Sequence, residues 1–184
     1  EEANRLIDPV AAALKERLGD AVYGEGETDL ETVVAEQLLQ KQLTLAVAES
    51  CTGGMIASKL VEYPGISAAL VEGCVTYSNE AKMHRLGVKA ETLEKYGAVS
   101  EETAKEMAEG IARTSGADIG LATTGVAGPE SSEGKPVGLV YIAVAYKGKT
   151  EVYTCHFVGK RNKIRERAAY TALNRLRKGI NDEA

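Results

Sequence analysis

Apolar positions recur along this chain with two different periods, and the alternation between them outlines a layered fold. Leu6, Val10, Leu14 and Leu18 stand at steps of four, a helical stripe that ends at Gly19. A glycine-broken segment, Val22 to Glu27, separates it from a second helix over about Leu30 to Gln40, with Leu30, Val33, Val34 and Leu38 on one face. A short apolar run, Leu43 to Ala48, then reads as a first strand. A helix over about Gly54 to Tyr63 follows, stopped by Pro64-Gly65. Leu70 to Tyr77 reads as a second strand.

Helical patches near Asn79 to Leu86 and Ala90 to Tyr96 come next. Ser100, a good N-cap residue, opens a longer helix to about Ser115. Asp118 to Thr123 is the third strand. Leu139 to Tyr146 and Thr150 to Val158 form the last two, joined by Lys147-Gly148-Lys149 as a hairpin. A helix from about Lys160 to Gly179 closes the chain, with Ile164, Ala168, Ala172, Leu173 and Leu176 on its buried face. Strands alternating with helices predict a three-layer α/β/α sandwich around a mixed, mostly parallel sheet of about five strands. Residues 1–26 are expected to be an appendage, the end of a preceding domain, and residues 27–184 the main domain.

Composition narrows the function classes. With 184 residues, 44% of them hydrophobic and 27% charged, the chain can bury the core of one ordinary globular domain. A net charge of -5 argues against a general nucleic-acid coat. No apolar run spans a bilayer and no signal-peptide pattern is present, so a cytoplasmic protein is expected. Cys51, Cys74 and Cys155 have neither disulfide nor zinc-site spacing, and neither a metal nor another cofactor is expected. Glu1 in place of an initiator Met suggests a chain cut from a longer one.

In open α/β sheets ligands collect beyond the carboxyl ends of the strands. Three loops there carry suitable chemistry: Ser50-Cys51-Thr52-Gly53-Gly54, Thr76 to Lys82, and Thr123 to Pro136. If their strands are parallel, the loops share one rim. The first loop is compatible with an oxyanion hole, a phosphate cradle or a simple helix cap, and it lacks the spacing of a hydrolase elbow or a nucleotide P-loop. A reactive Ser50 needs a base. His84 and His156 fall in a helix and a strand and read as structural, which leaves Lys82 as the candidate, since a lysine shielded from water tends toward the neutral amine. Tyr77 is a candidate proton relay. Cys51 is a competing nucleophile at a position near a helix N-terminus that favours thiolate. The basic run at Lys160 to Arg167 reads as a solvated face, or as a phosphate grip by Arg161 and Arg165, one turn apart.

The segments Ala48-Glu49-Ser50-Cys51-Thr52-Gly53-Gly54, Val75 to Lys82, Gly97-Ala98-Val99-Ser100, and Thr124-Gly125-Val126-Ala127-Gly128-Pro129 with Lys135-Pro136-Val137-Gly138 closely resemble the C-terminal domain of the competence- and damage-inducible CinA family. The likeness runs from about residue 28 to the end. The stretch before it resembles the end of the N-terminal portion of full-length members. The resemblance implies nicotinamide mononucleotide deamidase activity, an amidohydrolase reaction giving nicotinic acid mononucleotide and ammonia in pyridine nucleotide salvage. It implies Ser50, Tyr77 and Lys82 as the catalytic group, without metal. Thr52, Gly53, Gly54, Asn79, Thr123, Thr124, Gly125, Gly128, Arg161 and Arg165 are the expected nucleotide-binding positions. Lys160 departs from the acidic residue common before that arginine in the family. The alternative is a catalytically silent nucleotide-binding regulatory or interaction module. The expected partner is nicotinamide mononucleotide or a related nucleotide, with no nucleic acid and no membrane. Homo-oligomerisation and a further N-terminal domain are both compatible with the family pattern.

Overall fold

The computed structural model describes residues 2–181. In chain order the elements are α1 (Glu2–Leu18), α2 (Leu30–Gln40), β1 (Leu45–Glu49), α3 (Met55–Val61), β2 (Leu70–Val75) and α4 (Asn79–Ala81), which runs into a π-helical segment, Lys82–Leu86. Then come α5 (Ala90–Tyr96), α6 (Glu101–Ser115), β3 (Ile119–Gly125), β4 (Leu139–Tyr146), β5 (Lys149–His156) and α7 (Arg161–Asn181). The five strands form one sheet in the order β2-β1-β3-β4-β5. β1 is parallel to both β2 and β3, whereas β3–β4 and β4–β5 are antiparallel, so only β4 runs against the other four. This is the mixed α/β/α sandwich that the strand and helix pattern predicts.

The two faces of the sheet differ in side-chain size, and that difference sets the layers. On one face Leu45, Val47, Ile119, Leu121, Val140 and Ile142 pack against α2, α3 and α7 in the larger core. On the other Ala46, Ala48, Ala122, Ala143 and Ala145 meet α6 and the π-helical segment. Alternation along each strand sends the large residues to one side and the small ones to the other. Small residues let α6 lie close to the sheet: a Cβ on Gly120 would collide with the Ala108 carbonyl.

Helix α1 forms where its period predicts, but Leu6, Val10, Leu14 and Leu18 are all exposed. No helix among the described residues is long and apolar enough to cross a membrane.

Candidate active site

Register brings the three loops together. Glu49, the last residue of β1, is level with Val75 of β2 on one side and with Thr123 of β3 on the other. The ladder runs one step further, with Thr76 N–H donating to Glu49 O at 2.9 Å and Ser50 N–H to Thr123 O at 3.0 Å. Ser50 and Thr76 therefore leave the sheet side by side, next to Thr124 and Gly125 at the end of β3. Parallel pairing in this register, and not any single motif, creates the shared rim.

Lys82 enters that rim from the first turns after β2. Ser78 caps α4, its Oγ accepting from Ala81 N–H at 3.1 Å. Helical side chains lean toward the helix N-terminus, so a residue four positions past the cap reaches back over the strand end. The switch to π-helical geometry begins at Lys82, whose carbonyl accepts from Val88 N–H at 3.2 Å. Such single π turns are frequent at functional sites. Gly110 of α6 allows the close approach, because a Cβ there would strike the Leu86 carbonyl.

Lys82 is 1% exposed and Ser50 is 8% exposed. Lys82 Nζ lies 3.2 Å from Ser50 Oγ, 2.9 Å from Thr76 O and 3.2 Å from Tyr77 O. Two of these partners are carbonyls, which only accept. An ammonium donates to all three, whereas a neutral amine gives its two hydrogens to the carbonyls and takes the Ser50 proton on its lone pair; the partner set fits both forms. Burial pushes the Lys82 pKa below the ordinary lysine value, while Cys51 and Glu133 act in the opposite direction. Desolvation dominates, favouring the neutral form.

Tyr77 lies at the mouth, 61% exposed, and its hydroxyl oxygen accepts from Arg161 Nη2 at 3.1 Å. Arg161 also donates to Gly128 O at 2.6 Å. With its oxygen engaged as an acceptor, Tyr77 keeps its own hydrogen available to donate. Ser50, Tyr77, Asn79, Lys82, Thr124, Gly125, Gly128 and Arg161 all border one cavity of about 300 Å3. Ala98, Val99, Glu130, Ser132 and Glu133 also line it, as does Cys51. A more open groove of about 720 Å3 runs between α3 and α7, but Ser50, Tyr77 and Lys82 do not line it.

The remaining expected binding positions do not line this cavity. Thr52 and Thr123 are fully buried and share a hydroxyl–hydroxyl hydrogen bond of 2.7 Å, which ties the Ser50 loop to β3. Arg165 donates to the carbonyls of Cys51 and Thr52 at 3.1 and 2.9 Å, and its guanidinium lies against Gly53. Arg161 and Arg165 open onto different cavities, so the structure does not bring them together as a paired phosphate grip. Gly53 and Gly54 take left-handed backbone, with φ of 62° and 92°, and make the sharp turn that only glycine adopts without strain.

Two readings of this loop are corrected by the geometry. The amides at the start of α3 do not face a ligand: the Glu49 carboxylate, 1% exposed, accepts from Gly54, Ile56 and Ala57 N–H at 3.0, 3.2 and 2.9 Å. Gly53 N–H is also engaged, by Ser50 O at 3.1 Å. The Gly53-Gly54 turn is therefore neither phosphate cradle nor oxyanion hole. Nor does Cys51 tend toward thiolate, since burial pushes its thiol pKa up to about 12.

Glu49 was legible only as the end of an apolar strand; a carboxylate just before a turn into a helix is the signal that marks it. The Thr123 to Pro136 loop and the Gly97 to Ser100 motif were each visible in the sequence, but that Glu133 of one would meet Ala98 and Val99 of the other was not, because they lie more than thirty residues apart. His84 and His156 do not line the cavity. Among the described residues no cluster of His, Cys, Asp and Glu is placed to hold a metal ion.

Fold and site together define an α/β/α domain with a buried serine–lysine pair at the carboxyl ends of its parallel strands. Residues 27–180 match the model of the CinA C-terminal domain, and the chain belongs to that family. It is 55% identical over 179 residues to a competence-damage inducible protein of Clostridium beijerinckii, covering 97% of this chain and 44% of that protein. A namesake from Clostridioides difficile is 56% identical over 184 residues, with 96% and 44% covered. The chain thus spans less than half the length of these curated relatives. Among solved structures, a CinA superfamily protein of Klebsiella pneumoniae superposes with a TM-score of 0.81 at 39% identity, covering 83% of this chain and 96% of that one. One from Escherichia coli gives 0.79 at 36% identity, covering 88% and 98%.

Proposed function

We propose that this domain hydrolyses the exocyclic carboxamide of nicotinamide mononucleotide, releasing ammonia and nicotinic acid mononucleotide. The observation that carries the reading is the buried Lys82 amine, in contact with Ser50 Oγ and two carbonyl oxygens. Family likeness supplies the amide substrate. Lys82 takes the proton of Ser50 as the serine oxygen attacks the amide carbon, with no histidine needed. The Gly53-Gly54 turn is unavailable to the developing oxyanion, so the donor comes from the Thr124–Gly128 segment that lines the cavity. Val126 N–H in that segment is engaged by Leu139 O, which leaves the other amides of the segment as candidates.

Collapse of the tetrahedral adduct breaks the carbon–nitrogen bond, and the leaving nitrogen takes the proton that Lys82 removed from Ser50, directly or relayed through the Tyr77 hydroxyl, so that Lys82 returns to the neutral amine and Tyr77 ends protonated. Water then attacks the acyl-serine, with Lys82 again as base, and frees the carboxylate. Arg161, on the same wall as Tyr77, supplies the positive charge for the nucleotide phosphate. The test is ammonia release from nicotinamide mononucleotide by wild type and by Ser50→Ala. The variant should lose on the order of 10³-fold or more. Unchanged release in Ser50→Ala would remove the serine from the chemistry. Tight binding by wild type without ammonia would favour the silent binding module.

A further inference from the structure

The cavity wall facing solvent is built by a strap, residues 128–138, whose tip is a small hairpin. Ser132 N–H donates to Lys135 O at 3.3 Å and Lys135 N–H to Ser132 O at 2.8 Å. Between them Glu133 takes a left-handed conformation, φ 53°, followed by Gly134 at φ 70°. A non-glycine residue held there persists only where its surroundings fix it. Here they do: the Glu133 carboxylate accepts from Ala98 N–H at 3.2 Å and Val99 N–H at 3.3 Å. Lys135 donates to Tyr96 O at 2.6 Å, and Gly97 has no side chain because a Cβ would run into the Glu133 carboxylate. Thr124 Oγ1 holds the same segment from the sheet side, donating to Ala98 O at 2.7 Å.

Glu133 does more than fasten the strap. It borders the cavity that contains Ser50 and Lys82, together with a second carboxylate, Glu130. Its negative charge is felt at Lys82, where it favours the ammonium form against the stronger effect of burial. The cavity therefore has two carboxylates on the strap, Glu133 with the Lys135 ammonium 3.8 Å away, and the Arg161 cation at the Gly128 carbonyl where the strap begins. A ligand matching that pattern carries a cationic ring and an anionic tail.

We propose that Glu133, assisted by Glu130, is a specificity residue that selects a substrate whose carboxamide-bearing ring is positively charged. This rests on the nucleotide amidase reading above and sharpens it. A glycosylated nicotinamide is a pyridinium cation, whereas its dihydro form is neutral with the same carboxamide, ribose and phosphate. The carboxylates distinguish the two by charge alone.

The experiment measures binding of oxidised and reduced nicotinamide mononucleotide by calorimetry. Ser50→Ala serves as the background so that neither ligand is consumed, and Glu133→Gln and Glu130→Gln are added to it separately. Thermal unfolding confirms that each variant is folded. The expected result is a loss of about fivefold or more in affinity for the oxidised ligand in Glu133→Gln, a smaller loss in Glu130→Gln, and affinity for the reduced ligand within twofold of the background. Equal losses for both ligands would mean that Glu133 only fastens the strap, and would overturn the proposal. So would unchanged binding of the oxidised ligand. If the Ser50→Ala background binds neither ligand, it is the nucleotide amidase reading itself that fails.

Discussion

The Glu49 carboxylate is the most exacting structural element beneath the site, and Glu49→Gln isolates its contribution. The side chain is 1% exposed, with Oε2 accepting from Gly54 and Ile56 N–H and Oε1 from Ala57 N–H. Glutamine has nearly the same shape, but only one of its two terminal atoms accepts. Placing the amide oxygen at the Oε2 position keeps two bonds in neutral form and turns the NH2 group toward Ala57 N–H, donor against donor. A hydrogen bond to a charged group contributes about 1.5–3 kcal/mol and a neutral one about 1 kcal/mol. One charged bond lost and two weakened, with the favourable charge at the helix N-terminus removed, give a cost of about 3–5 kcal/mol. For a domain of this size each kcal/mol lowers Tm by roughly 2–4 °C, so a fall of about 6–20 °C is expected. Circular dichroism melts of wild type and Glu49→Gln measure it. Exposed Glu62, at the other end of α3, serves as a control whose Gln variant should stay within about 0.5 kcal/mol of wild type. A Glu49→Gln melt within about 2 °C of wild type would refute the view that this carboxylate anchors the loop.

Three further outcomes follow from the surroundings of Lys82. Because burial lowers the Lys82 pKa, kcat/KM for ammonia release should rise with pH through that lowered value and level off below the ordinary lysine range of about 10.4; a rate that falls over this interval would exclude Lys82 as the base. The unfolded chain binds that proton more readily, so Lys82 should also make the fold more stable as pH rises toward the unfolded lysine pKa, a trend that Lys82→Met should flatten in urea titrations across pH. Gly110→Ala places a methyl against the Leu86 carbonyl and forces α6 away from the π-helical segment, at a cost of about 1–3 kcal/mol. Since a displacement of about 1 Å at the chemistry can cost about a hundredfold, its rate should fall well beyond its effect on Tm, which parallel melts and ammonia assays would show.

The elements themselves were largely written in local sequence. Helix α2, helix α5 and strand β4 fall at the expected residues, and the Lys147-Gly148-Lys149 turn joins β4 and β5 as a hairpin. Local period and turn chemistry decide such features before any long-range contact forms. The same period predicted helix α1, yet could not say whether its leucine stripe would be covered, and in this chain it faces solvent. The pairing of Ser50 with Lys82 was also nameable from sequence, because a serine without a usable histidine leaves few proton acceptors, and the two side chains do meet at 3.2 Å. What sequence could not decide was whether Lys82 would be dry. That depends on β1 and β2 pairing in a register that aligns Ser50 with Thr76, on a π turn at Lys82, and on a strap arriving from residues 128–138. Likewise Arg161 and Arg165, one turn apart on α7, were equivalent as letters. Packing sends one to the cavity and the other to the Cys51 and Thr52 carbonyls. Periodicity is a property of neighbours along the chain, whereas desolvation and hydrogen-bond partnership are properties of neighbours in space, and only the tertiary structure supplies those.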